Sequence, residues 1–140
     1  MTKKQARKAN TRRPQGRIKP HEGSELALML KGTKPLARFA IEHKTGDTLA
    51  EIETAFRPHV ERGTFLRFQF KGEEFDRLYY CLPTEEWRVK LLELIDTALE
   101  AGVHEFSIYD LHRIDGTLLG YSKKDIEYFI ANWRRHHEDA

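Results

Sequence analysis

An α+β fold, with a small antiparallel sheet of about three strands and about five helices, is predicted by three local patterns. Residues 64–71 alternate Leu66, Phe68 and Phe70 with Arg67, Gln69 and Lys71, which is the period of a half-buried strand. Residues 75–82 form a second strand rich in Tyr, Leu and Phe, and Lys71, Gly72, Glu73 and Glu74 between them supply a hairpin turn. Trp87, Leu91, Leu92, Leu94, Ile95, Ala98 and Leu99 then recur at helical spacing up to Gly102.

The remaining elements follow from punctuation and periodicity. Gly23 and Ser24 precede Leu26, Leu28, Met29 and Leu30, a short helix capped by Ser24 and stopped near Gly32 and Pro35. Residues 36–42 (Leu, Ala, Arg, Phe, Ala, Ile, Glu) suit a strand ending in the turn Lys44, Thr45, Gly46, Asp47. Thr48 is expected to cap a second helix through Leu49, Ile52, Ala55 and Phe56, with Pro58 disturbing its last turn and Gly63 ending the segment. Thr84 is expected to cap the long helix that carries Trp87. A shorter helix is expected from Ser107 to about Ile114. The last helix starts with Ser122 and Asp125 at capping-box spacing and carries Ile126, Phe129, Ile130 and Trp133 as its apolar stripe. Helices are expected on one face of the sheet, with Trp87 and Trp133 in the core.

Charge divides the chain into two opposed parts. Lys3, Lys4, Arg7, Lys8, Arg12, Arg13, Arg17 and Lys19 lie within residues 1–20, which contain no Asp or Glu. The rest of the chain keeps 16 of the 24 Lys and Arg against all 22 Asp and Glu, so a formal −6 body follows a +8 arm. With almost no apolar side chains to bury, residues 1–20 are read as a disordered arm. Residues 21–140 are read as a single domain, long enough for a hydrophobic core without metal or disulfide staples. No apolar stretch approaches the roughly 20 residues a membrane span requires, and no apolar run follows the arm's charges as a secretory signal would need. With the lone Cys81, these features lead us to expect a cytoplasmic protein.

Flexible Lys and Arg neutralise phosphates and release counterions, giving sequence-independent affinity for nucleic acid that falls with salt. The same charges would also suit contact with the chain's own acidic body or with another anionic partner. A 20-residue flexible segment spans about 25 Å root-mean-square, so the arm is a tether of short reach, and it lacks the aromatics that stack on single-stranded bases. The hairpin places Arg67, Lys71 and Arg77 among Phe65, Phe68, Phe70, Tyr79 and Tyr80, but alternating strand aromatics belong more often to a core than to a base-stacking platform. The last two helices invite a helix-turn-helix reading, against which stands a connection of about eight residues.

Catalytic and metal patterns are weaker. His104, Glu105, Tyr109, Asp110, His112, Arg113 and Asp115 form the densest ionisable group, yet Asp110 and His112 point to different sides of a helix and no nucleophile accompanies them. Cys81 sits among strand aromatics as a buried thiol, and His136 and His137 have no metal-ligand spacing. No catalytic residue, metal ligand or cofactor is assigned.

The resulting expectation is a non-enzymatic accessory protein whose basic arm docks non-specifically on nucleic acid or a nucleoprotein while the acidic body engages a protein partner. The alternative is an interaction or inhibitor module. It would meet a basic surface through helical carboxylates such as Glu51, Glu53, Glu85, Glu86, Glu93, Asp96 and Glu100, with no nucleic-acid role.

Overall fold

The computed structural model describes residues 21–44, 47–103 and 105–137. The arm residues 1–20 and His104 therefore lie outside the described residues. The elements run in the order α1 (Glu25–Leu30), β1 (Leu36–Glu42), α2 (Asp47–Glu61), β2 (Leu66–Phe70), β3 (Phe75–Cys81), α3 (Glu86–Glu100), α4 (Ile108–Leu119) and α5 (Lys123–His137). This is the α+β architecture predicted, with strands slightly shorter than 64–71 and 75–82. Two compact units divide the chain. One comprises residues 21–105 with 118–120; the other gathers 106–117 with the segment from Tyr121 onward.

In the first unit the sheet is antiparallel throughout, in the order β1-β3-β2. β3 pairs Leu78 with Phe39 of β1 and with Gln69 of β2, so the two hairpin strands and β1 share one register. Alternation then separates two side-chain faces. Ala37, Phe39, Ile41, Leu78 and Tyr80 look toward α1 and α2, where Met29, Phe56 and Phe65 complete a buried cluster. Phe56 stacks on Tyr80 at a centroid distance of 4.2 Å and meets Phe39 edge-on at 5.8 Å.

The other face carries Leu36, Arg77, Tyr79 and Cys81 and is covered by α3, whose Val89 and Leu92 are buried and whose Glu93 reaches Arg77 and Tyr79. Helices on one face only is thus corrected to helices on both. The cause is legible in β3 itself, where residues 76–81 are all buried: a central strand enclosed on both sides reads as a continuous run rather than an alternation.

Several helix starts also differ from expectation. Ser24 occupies the N-cap position of α1 without a side-chain capping bond; Gly23 N–H is taken instead by Glu25 Oε1 at 3.0 Å. Thr48 lies inside α2, which begins one residue earlier. Pro58 does not end α2, which runs on to Glu61, since proline near a C-terminal turn forfeits only one helical bond. Thr84 does not cap α3: Pro83–Glu85 form a 3₁₀ turn with Pro at its start, and Glu85 takes the N-cap position.

The second unit is a helical hairpin. Ser107 Oγ and Ser122 Oγ accept from the N–H groups of Asp110 and Asp125, both at 3.1 Å; the second of these caps is the one expected from the Ser122–Asp125 spacing. α4 does not stop near Ile114 but continues through Gly116 to Leu119, which leaves only residues 120–122 before α5 and removes the eight-residue connection. Gly116 is tolerated in the helix because a Cβ there would come within 2.7 Å of Ile126 Cγ1; its absence lets the two helices approach. Gly120, at φ +90°, closes α4 as Tyr121 N–H reaches back to Gly116 O at 2.9 Å.

Candidate functional site

The eight arm cations Lys3, Lys4, Arg7, Lys8, Arg12, Arg13, Arg17 and Lys19 lie outside the described residues, so their chemistry rests on the sequence alone. The structure does place every other candidate except His104.

The hairpin is a core element and not a stacking platform. Phe65, Tyr79 and Tyr80 are fully buried, Phe68 and Phe70 are partly buried against each other, and Phe70 meets Tyr79 edge-on at 5.8 Å. Arg67 is spent on Glu53 and on Gln69 Oε1. Arg77, buried in β3, donates from Nε and Nη2 to the two oxygens of Glu93 at 2.6 and 2.9 Å, and has Asp96 and Glu100 each 3.5 Å away. Tyr79 adds a third bond, donating its hydroxyl to Glu93 Oε2 at 2.8 Å.

Electrostatics follow from that geometry. The bidentate Glu93 bond outweighs burial and raises the Arg77 guanidinium above its ordinary value. Burial would raise the Glu93 carboxyl, but the bonds from Arg77 and Tyr79 overcome it and hold Glu93 below the usual carboxylate range. Burial, with the bond to Glu93 second, pushes the Tyr79 phenol upward. Beside this network a cavity of about 380 Å³ is lined by Arg38, Phe39, Ala40, Phe75, Arg77, Asp96, Leu99 and Glu100. Its carboxylates are already turned to Arg77, so the network works as a clamp between β3 and α3.

A second polar hub, centred on the neighbouring Asp76, lies on the opposite face of the sheet. Asp76, buried in the sheet, accepts from His43 Nε2 at 2.9 Å and Gln69 Nε2 at 3.0 Å, with the Gly72 N–H and the Lys71 ammonium also directed at it. The His43 bond leads these interactions in holding its carboxyl low.

Among the described residues, the ionisable group around α4 is divided between two sides of the helix. Asp110 is exposed and faces Arg113, whose guanidinium binds Glu127 of α5 at 2.8 and 3.2 Å. His112 instead packs against Phe129 and Trp133, at centroid distances of 5.0 and 5.6 Å, and its Nε2 is buried without a hydrogen-bond partner. The two residues therefore point to different sides, as their spacing implied. Burial lowers His112 below its ordinary pKa, partly offset by Asp115. Cys81 is fully buried, and burial, with Glu86 and Glu85 nearby, pushes its thiol up to about 11, which suppresses the nucleophilic thiolate. His136 and His137 donate to the carbonyls of Asn132 and Trp133 one turn back, at 2.8 Å each. Among the described residues no cluster of three His, Cys, Asp or Glu is placed to hold a metal ion, and no helix is long and apolar enough to cross a membrane.

The acidic helical faces are largely engaged within the chain. Glu53 pairs with Arg67, Glu85 with Arg88, Glu86 with Lys90, and Glu93, Asp96 and Glu100 with Arg77; Glu51 is exposed. Beside the exposed Lys90, Thr97 and Glu100, α3 presents an apolar ridge outward. Trp87, expected in the core, is 51% exposed, with Leu91 at 38% and Leu94 at 64% on the same side. The reason is that α3 has apolar residues on two faces, and the sheet takes Val89 and Leu92. The signal was present in the sequence: Trp87, Leu91, Leu94 and Ala98 alone complete one helical stripe, and Val89 and Leu92 a different one. Comparison with protein-family models, with curated proteins and with solved structures finds no match to this chain.

Proposed function

We propose that this chain is a non-enzymatic accessory protein of the cytoplasm that docks non-specifically on nucleic acid or a nucleoprotein through residues 1–20 and contacts a protein through its folded body. The observation that carries the reading is the partition of charge, +8 on the arm against −6 on the rest. An arm of that composition supplies phosphate neutralisation without sequence reading, and its short reach keeps the folded body beside whatever it binds. The protein-contact half is supported by the outward ridge Trp87, Leu91 and Leu94, because three large apolar side chains in line on one helix form a contact surface rather than scattered exposure. Engagement of the helical carboxylates with the chain's own cations moves that contact away from the acidic faces.

Removal of residues 1–20, followed by DNA and RNA binding measurements over a range of salt, tests the nucleic-acid half. The full chain should bind with an affinity that falls by a log–log slope of roughly 0.9 per neutralised phosphate on duplex DNA. The truncated chain should lose both the affinity and the slope. Equal binding by both, or none by either, refutes the proposal.

A further inference from the structure

We infer that the outward ridge of α3 is a self-association surface, on which a second copy of this chain packs its own α3 antiparallel. This deepens the protein-contact half of the proposed function and is independent of the nucleic-acid half.

Three observations select this occupant. Trp87, Leu91, Leu94 and Ala98 are separated by four, three and four residues, the alternation that keeps one seam straight along a pair of packed helices. The order of sizes along that seam is self-complementary only when the second helix is reversed. An antiparallel copy centred between Leu91 and Leu94 sets Trp87 opposite Ala98 of the second copy and Leu91 opposite its Leu94. The large indole then meets the small methyl at both ends, and the two leucine layers fill the middle. A parallel copy would instead put indole against indole at one end and leave a gap between alanines at the other.

Charge supports the same choice. Positions beside the seam are Arg88, Lys90, Ile95 and Thr97, and none is acidic. Arg88 and Lys90 are each paired within the chain, with Glu85 and Glu86, so the flank of the ridge is locally neutral. Two bodies of formal charge −6 can therefore approach along it without net like charge meeting there. The chain's own arm is a poor cover because Ile18 is its only large aliphatic residue between Thr2 and Pro20. Three exposed anchors fall short of the roughly 800 Å² per partner of a standard interface, so the association is reversible and concentration-dependent.

Sedimentation velocity of the full chain, nuclease-treated and followed from low micromolar to about 1 mM, is the test. A monomer–dimer shift that persists in high salt is expected, since apolar contact survives salt while arm-to-body attraction is screened. Leu94→Glu, at an exposed site that should leave the thermal melt unchanged, should hold the chain as monomer. Mixing Leu91→Cys with Leu94→Cys chains under mild oxidation should give a hybrid cross-link in preference to either self-pair; buried Cys81 does not compete. A chain monomeric at every concentration, a dimer that dissolves in salt or withstands Leu94→Glu, or preferential self-pair cross-linking would each overturn the inference. None of these outcomes alters the arm-deletion result, so the two proposals fail separately.

Discussion

Tyr79 of β3 and Glu93 of α3 are joined by a hydroxyl-to-carboxylate hydrogen bond of 2.8 Å, on the same carboxylate that receives two bonds from Arg77. One acidic side chain therefore satisfies a buried phenol and a buried guanidinium on alternate residues of the central strand. The helix is held to that face of the sheet by polar matching as well as by Val89 and Leu92.

Removing that acceptor should cost more than removing the whole pair. Glu93→Leu leaves the Arg77 charge with only its weaker partners and should destabilise the fold by about 3–5 kcal/mol, because an uncompensated buried charge is worse than an apolar replacement. Arg77→Met combined with Glu93→Leu should recover a large part of the loss. Urea unfolding of the two variants and the wild type measures the difference; a double variant less stable than Glu93→Leu contradicts the clamp.

The two aromatic environments should separate cleanly. Phe56→Ala removes the ring stacked on Tyr80 and should cost about 3–5 kcal/mol. Trp87→Ala, on the solvent side of α3, should stay within about 1 kcal/mol when measured on dilute protein. Chemical denaturation monitored by circular dichroism reports both.

Gly120 and Gly102 make a matched pair. Both have φ near +90°, but an added Cβ at Gly120 would come within 2.5 Å of Pro35 Cδ while the same atom at Gly102 meets nothing within 4 Å. Gly102→Ala should lose about 1 kcal/mol for the left-handed backbone alone, and Gly120→Ala distinctly more. Equal losses in thermal melts would mean that Pro35 yields at no cost.

Acidification should weaken the protein in two stages. His112 is kept neutral by burial, so its folded pKa lies below the ordinary 6.5 and the unfolded chain binds the extra proton first. Stability is then full above 6.5 and falls as pH drops toward the lowered value, with no further loss from this group below it. Glu93, Glu85 and Asp76, all held low, contribute a second loss that begins as pH falls through the usual carboxylate range and continues down through their lowered values. His112→Phe should flatten the first stage and leave the second, as read from urea midpoints across pH.

Local pattern announced the strands and helices because their cues are local: the period of two in β2, the Lys71–Glu74 turn, and Ser122 three residues ahead of the Asp125 N–H donor. Cues broke down where two signals competed. Thr84 has the chemistry of a cap, but Pro83 preceding it favours a 3₁₀ turn that moves the helix start to Glu86. Asp115 and Gly116 look like a helix end, yet Gly116 stays helical because Ile126 fills the space its side chain would have needed.

By itself the sequence determined the α+β class, the order of its elements and the opposed charges of the arm and the rest of the chain, since each depends on composition or on neighbours a few residues away. Only the tertiary structure decided which of two apolar faces α3 buries, that β3 is enclosed on both sides, and that Arg77 draws Glu93, Asp96 and Glu100 to itself. Those outcomes depend on contacts between residues far apart in the chain, and a helix with two usable faces states no preference until a sheet has taken one of them.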